Sequence, residues 1–368
     1  MTVKGLRLII DLHGIEENTR TLVKQCSAHG IQVAGVTKMA CGNPTIAASL
    51  VESGVHLLAD ARVENLANLK EFAVPKMLLR IPMVSQAAEV VHYADISMVS
   101  ETHTAKALSD EAMKQDKQLE LLLMLDMGDR REGIHDEKEI VAAARTIQSM
   151  PGIILRGVAT NLSCFNGVRP VREHLERLVF VRNMLRAKLH LPLDMVSGGN
   201  SATLPLLRER EIPNEVNQLR LGASLLMGIG LDDLPISGLR QDLLRLEAEV
   251  VEVRVKPSKP EGETGLNSFG EKKSVQDRGM RRRAVCAVGR QDVAAEEMIP
   301  LMPGVEILGD TSDHLVLDVT EAGNSVSVGD ILGFHLTYGG CLSAMTSPYV
   351  EKRFVSVKEC RTADDMLF

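Results

Sequence analysis

Tryptophan is absent from this chain of 368 residues and tyrosine occurs three times, so any tyrosine near a suspected site carries weight. No apolar run is long enough for a bilayer: the longest, such as LELLLMLDMG (119–128), reach about half a span. There is no basic excess either. A net charge of -7 disfavours a DNA or RNA partner. The cysteines (26, 41, 164, 286, 341, 360) form no C-x-x-C pair, which speaks for reduced thiols in the cytoplasm and against a disulfide framework. The opening MTVKGLRLIIDLHG lacks the pattern of a cleavable signal, because its apolar run is short and stops at Asp11. What is present is 45% apolar and 25% charged residues, the balance of a globular enzyme. The length suggests one large domain and a smaller one.

Between residues 31 and 235 the chain alternates two textures. Short β-rich apolar runs occur at 31–38, 55–61, 76–82, 96–100, 119–126, 154–160, 193–199 and 217–223. Amphipathic stretches such as PTIAASLVESG (44–54) and EKEIVAAARTIQSM (137–150) separate most of them. Near-continuous apolar strands imply a parallel sheet buried on both faces. Eight such units predict a closed (β/α)8 barrel of the TIM type, placed at residues 1–238. From 239 to 368 the texture changes to alternating runs and turn signals, which predicts a smaller all-β C-terminal domain. Within it the polar stretch 257–279 is either a disordered loop or a long loop that covers something.

In a (β/α)8 barrel the active site is built at the C-terminal ends of the strands. Polar residues gather at those ends. Lys38 closes the first run in VTKMACGNP, and Asp126 and Arg131 follow the fifth in LDMGDRREG. Asn161 and Ser163 end the sixth, Ser197 to Ser201 (with Asn200) the seventh, and Arg220, Gly222 and Ala223 the eighth. SGGNS (197–201) and RLGAS (220–224) are donor-rich turns whose backbone N–H groups can cradle a phosphate. Each feature alone has a plain structural reading: a solvated lysine, a geometric glycine turn, a surface ion pair. Together, a lysine, a phosphate cradle and a buried arginine in one barrel mouth are what a pyridoxal 5'-phosphate site requires.

The chain resembles the fold-type III pyridoxal-phosphate enzymes, the alanine racemase group, and most of all its ornithine racemase-like branch. IDLHGIEENTRTL (10–22), VTKMACGNP (36–44), LDMGDRREGI (125–134), SGGNSAT (197–203), LRLGASLLMG (219–228), VGDILGF (328–334) and TSPYVEK (346–352) match that family's elements in order. The resemblance implies an amino-acid racemase working by α-proton abstraction, with Lys38 as Schiff-base lysine and acid/base. Ser201, Gly222 and Ala223, with Tyr349, would hold the phosphate. Arg220 would face the pyridine nitrogen and keep it unprotonated, which favours racemisation. Arg131 would stand by the cofactor's phenolic oxygen and the substrate carboxylate, and Asn161, Ser163, Ser197 and Asn200 would line the cofactor. A homodimer with shared active sites is implied.

Three departures bear on the substrate. The tyrosine expected after the lysine is missing, since Cys41 and Gly42 stand there. The ring-stacking histidine corresponds to Asn161. The catalytic tyrosine of the family's Val-Gly-Tyr-x-Asp element corresponds to Arg290 in VGRQD (288–292). Candidates for the second acid/base are therefore Cys286, Asp292, His314, Tyr338 and Cys341, with Arg290 more suited to binding a carboxylate. The favoured substrate is ornithine or lysine, for which Asp292, Asp313 or Glu263 could meet the side-chain cation. Two other readings are a metal-assisted lyase of the D-threonine aldolase or D-serine dehydratase type, using His314, His335 and Cys341, and a non-catalytic pyridoxal-phosphate protein.

Overall fold

In the computed structural model, which describes residues 5–230, 233–272 and 274–355, the first strand, β1 (Leu6–Asp11), does not join the fold that follows it. It pairs far downstream, Leu6 opposite Ala248 and Arg7 opposite Glu351. The chain accordingly forms two compact units: Leu12–Gln241, and the first strand with the residues from Asp242 onward. The boundary expected at 238/239 therefore differs, chiefly in where the N-terminus belongs.

The unit Leu12–Gln241 is the barrel. Its strands are β2 (Gln32–Val36), β3 (Leu57–Asp60), β4 (Lys76–Leu78), β5 (Ile96–Val99), β6 (Leu119–Met124), β7 (Ile153–Ala159), β8 (Met195–Ser197) and β9 (Gln218–Leu221). All eight lie inside the runs expected from sequence or within one residue of them. They pair in parallel and close, with Ala34 of β2 opposite Arg220 of β9. Helices between them bury one face; in Glu137–Gln148 that face is Ile140, Ala143, Ala144 and Ile147. Asp136 caps this helix by accepting from the Lys138 and Glu139 N–H groups, at 2.9 and 3.1 Å.

The second unit is an antiparallel sheet built on the long strand β10 (Leu244–Pro257). It adds β11 (Met280–Cys286), β12 (Met298–Pro300), β13 (Glu306–Asp310), β14 (Leu315–Asp318) and β15 (Ile331–Leu336), while β16 (Glu351–Val355) runs parallel to β1. It is not all-β. A helix, Tyr338–Thr346, follows β15, capped by Thr337 and ended just before Pro348. Gly339 and Gly340 are poor helix formers, which hides it from a periodicity reading. Gly340 is required where it stands, because a Cβ would lie 2.8 Å from the Glu297 carbonyl oxygen. The 257–279 stretch joins β10 to β11 and folds back on its own unit. Ser258 closes its base by accepting from the Arg278 N–H at 2.6 Å, and Phe269 lies under the Arg290 guanidinium, 4.3 Å from its ring centre.

Candidate active site

Alternate residues of the barrel strands point inward. Ala34 and Val36, Leu57 and Ala59, Leu122 and Met124, Ala159 and Met195 share one buried cluster, while Leu121, Leu123, Val158 and Val196 pack outward with the helices. Lys38, Asp126 and Asn161 lie just past the C-terminal ends of β2, β6 and β7, and Ser197 ends β8. The barrel thus brings polar residues from distant parts of the sequence to one rim.

Arg220 sits on β9 beside them and is 4% exposed. Its guanidinium donates to the Thr160 carbonyl at 2.6 Å, to the Ser197 hydroxyl, and to Asn161 Oδ1 at 3.5 Å. Among the described residues these acceptors are all uncharged. Burial lowers its pKa to about 10, with Glu132 and Arg131 acting on it in opposite senses from further away. It is a cation at neutral pH with donor capacity turned into the barrel. The Thr160 hydroxyl beside it is buried without a hydrogen-bond partner. The Ser197 hydroxyl in turn donates to Gln218 Oε1 at 2.7 Å, which fixes its orientation.

A second corner is all donors and hydroxyls. Ser201 and Ser224 place their oxygens 3.0 Å apart, and the Ser224 N–H donates to Ser201 at 3.3 Å. Gly222 caps the turn Ala223–Leu226, where the first N–H groups lack intrahelical partners. A Cβ on Gly222 would stand 3.1 Å from Val36 Cβ, so the close approach of β9 to β2 favours glycine there. Asn200 ties the corner to the β7 end through Asn161 Oδ1 (2.9 Å) and the Leu162 carbonyl (2.8 Å). Ser163, at φ 58°, borders a cavity of about 480 Å³ that Ser201, Arg169 and Arg208 also line.

Lys38 starts the tight turn Lys38–Ala40 and is half-buried. Its neighbour Thr37 donates to Asp60 Oδ2 at 2.7 Å. Asp60, fully buried at the end of β3, also accepts from Asn65 Nδ2 (2.9 Å) and the Arg62 N–H (3.0 Å). Burial raises the Asp60 pKa despite these bonds. The turn leaves through Cys41 and Gly42, both left-handed, and a Cβ on Gly42 would lie 2.7 Å from the Asn65 carbonyl oxygen. The residue before Lys38 is thus tied to a buried carboxylate, Asp60, that sequence reasoning did not single out.

Comparison with known proteins gives the family of the chain. The family model "Alanine racemase, N-terminal domain" matches residues 10–229. A lysine racemase from Thermotoga maritima is 41% identical over 349 residues, 94% of this chain and 97% of that protein. The chain belongs to the alanine racemase family.

An ornithine racemase from Acetoanaerobium sticklandii is 38% identical, covering 95% of this chain and 99% of its own length. The fold of the family extends to solved structures. The alanine racemase of Bartonella henselae with covalently bound pyridoxal phosphate superposes with a TM-score of 0.73 at 16% identity, covering 96% of this chain and 100% of the other.

Arg131, which sequence reading expected near the cofactor's phenolic oxygen and the substrate carboxylate, lies on the loop after β6. It pairs with Glu132 and reaches Cys164 Sγ at 2.6 Å. Burial pulls its pKa down, but the Glu132 bond and charge outweigh this and hold it above the ordinary value. Asp126 accepts from the Gly128 and Arg130 N–H groups at 2.8 and 3.2 Å and pairs with Arg130 at 3.1 Å, so it shapes this loop.

The remaining candidates belong to the second unit. Cys286 and Cys341 are buried, and burial pushes the Cys286 thiol up to about 12, so it stays protonated at neutral pH and has no thiolate to take a proton. Arg290, which sequence reading set against the family's catalytic tyrosine, is engaged by carboxylates of its own unit: Asp310 and Glu296 at 3.2 Å and Glu271 at 3.5 Å. Asp292 accepts from the Ser347 hydroxyl at 2.6 Å, and Asp313 from Gln291 at 2.9 Å. His314 is exposed and Tyr338 half-buried, while Tyr349 is exposed in this unit. His314 lies in the β13–β14 turn, His335 on β15 and Cys341 in the helix that follows. Among the described residues no three His, Cys, Asp or Glu side chains are grouped to hold a metal.

Proposed function

We propose that the protein is a pyridoxal 5'-phosphate-dependent racemase that interconverts the L and D forms of a basic amino acid, lysine or ornithine. The observation that carries the reading is Arg220, a buried cation among uncharged acceptors next to the strand that presents Lys38. The substrate side of the proposal is supported by the two relatives that match nearly the whole chain.

The residues fit the cofactor. Ser201, Ser224 and the N–H groups of Gly222 and Ala223 form a corner suited to a phosphate, and the partnerless Thr160 hydroxyl offers a donor beside Arg220. When bound, the cofactor supplies an aldehyde for the amine and a ring that draws electrons from Cα. Lys38 is the amine that anchors it and then moves a proton at Cα from one face. Arg220 is donor-only and keeps its own proton at neutral pH, so it would donate a hydrogen bond to a ring nitrogen of the bound cofactor without protonating it. Electron withdrawal is then moderate, which favours return of the proton to Cα over elimination or amino transfer. Arg131 offers the fork that a substrate carboxylate takes. The proton on the other face falls to the second unit of a partner copy in a homodimer, where His314 and Tyr338 retain access to solvent and the buried cysteines do not.

The five described cysteines form no disulfide, which supports placing the enzyme in the cytoplasm, and no helix among the described residues is long and apolar enough to cross a membrane. The test is α-hydrogen exchange in deuterium oxide with each enantiomer of lysine, ornithine and alanine, followed by chiral analysis. Exchange with lysine or ornithine and formation of the opposite enantiomer are expected. Exchange confined to alanine would overturn the substrate assignment.

A further inference from the structure

Asp129 lies on the loop after β6, two residues before Arg131, and is 1% exposed. Its carboxylate receives four backbone N–H groups from the loop after β7. Oδ2 accepts from Phe165 at 2.8 Å and Cys164 at 3.4 Å, and Oδ1 from Asn166 and Val168, each at 3.2 Å. The loop answers in kind, Asn166 Nδ2 donating to the Asp129 carbonyl at 2.8 Å. An ionised carboxylate offers about four acceptor sites and no donor. Every one of them is used here to organise a single turn.

That turn contains Ser163 and Gly167, at φ 58° and 68°, and lies at the barrel rim between Asn161 and the cavity that Ser163 lines. Its N–H groups converge on one point, and such convergence needs a negative centre to hold it. Asp129 supplies that centre from the neighbouring loop. The second tie between the two loops is the contact of Arg131 Nη1 with Cys164 Sγ. Asp129 touches no group assigned to substrate or cofactor, but it joins the loop of Arg131 to the turn that follows Asn161.

We propose that Asp129 is a positioning residue for racemisation: it clasps the β7 turn to the β6 loop and thereby sets Arg131 for the substrate carboxylate. This rests on the racemase reading given above. Asparagine cannot replace it, because its amide group would turn two donors toward two of the four N–H groups.

The test uses the full-length, cofactor-loaded enzyme and the variant Asp129→Asn, with D-lysine and L-lysine as probes. Amide hydrogen exchange over residues 163–168 is expected to speed up at least about tenfold as the clasp is lost. KM for lysine is expected to rise about ten- to a hundredfold, with kcat falling less, because a displaced carboxylate fork weakens binding and orientation. If Asp129→Asn does not fold, Asn166→Ala removes only the reciprocal bond and should move both readouts the same way by about threefold. Unchanged amide exchange, or faster exchange with kcat and KM both intact, overturns the proposal. A fall in kcat alone, with KM unmoved, overturns it as well. Should the wild-type enzyme turn over neither enantiomer of lysine nor of ornithine, the racemase reading fails by itself, and the amide exchange result alone decides whether Asp129 clasps the turn.

Discussion

Arg220 of the barrel and two arginines of the second unit, Arg281 and Arg290, are treated in opposite ways. In the barrel, Arg220 is buried with a carbonyl, a hydroxyl and an amide oxygen as partners, and its pKa falls to about 10. In the second unit Arg281 meets Asp318 at 2.7 Å and Glu321 at 3.0 Å, Arg290 meets three carboxylates, and both are held above the ordinary arginine value. A buried cation whose hydrogen bonds all go to uncharged acceptors costs several kcal/mol of desolvation, which those bonds return only in part. Folding gains nothing from such a group, so its purpose is sought in a ligand. The ringed arginines are explained by their own neighbours.

The sharpest way to press this contrast begins with the anchor. Lys38→Ala is expected to abolish both α-hydrogen exchange and the visible absorbance of the bound cofactor, a loss of at least about 10³-fold in rate. A variant that keeps either signal in full would remove Lys38 from the mechanism.

Next in size, Arg220→Met should lower exchange by about 10²-fold or more while moving Tm by only a few degrees, since relief of the unpaired charge offsets the lost hydrogen bonds. Arg281→Met should do the reverse, lowering Tm and leaving exchange at 25 °C within about twofold. Should the two variants behave alike, the distinction between the arginines is lost.

Acid unfolding separates the units further. Burial works against the Asp318 carboxylate, but Arg281 and the hydroxyl and N–H of Thr320 outweigh it and pull its pKa from 3.8 to about 2. A carboxyl depressed in the folded state lends stability above its unfolded pKa and loses it as pH falls toward the folded one. Stability should therefore drop as pH falls from about 4 to 2, and Asp318→Asn should flatten that part of the curve in denaturant titrations. An identical slope in the variant would assign the acid sensitivity elsewhere.

The smallest expected effect is behind Lys38. Thr37→Val deletes one donor to the buried Asp60, which keeps Asn65 and Arg62 as partners. A cost of about 1–2 kcal/mol is expected in urea unfolding, with a modest weakening of cofactor binding measured by fluorescence. A variant as stable and as tightly bound as the parent would show that Asp60 does not support the turn.

Much of the site is legible in the sequence because strand texture is local. Once the runs 31–38, 154–160, 193–199 and 217–223 are read as parallel strands of one barrel, the polar residues at their C-terminal ends are the candidates for its rim. The carboxylates Asp60 and Asp129 escaped that reading. Their partners are backbone N–H groups and side chains of other segments, and Asp129 reaches residues 35 to 39 positions away. Arg290 was expected to have a carboxylate to bind. It has three from its own unit, Glu271 of the 257–279 segment together with Glu296 and Asp310, which only the packing of that unit reveals.

By itself, the sequence determined the eight-fold rhythm of apolar runs, the antiparallel texture that follows, and the polar residues placed where strands end. These are short-range matters of period and composition. The tertiary structure alone decided that the first strand belongs to the second unit, where Arg7 meets Glu247 across a separation of 240 residues. It also decided which buried charges are compensated and which are left open. A hydrogen bond between distant segments leaves no period in the chain, so its partner becomes visible only when folding brings the two together.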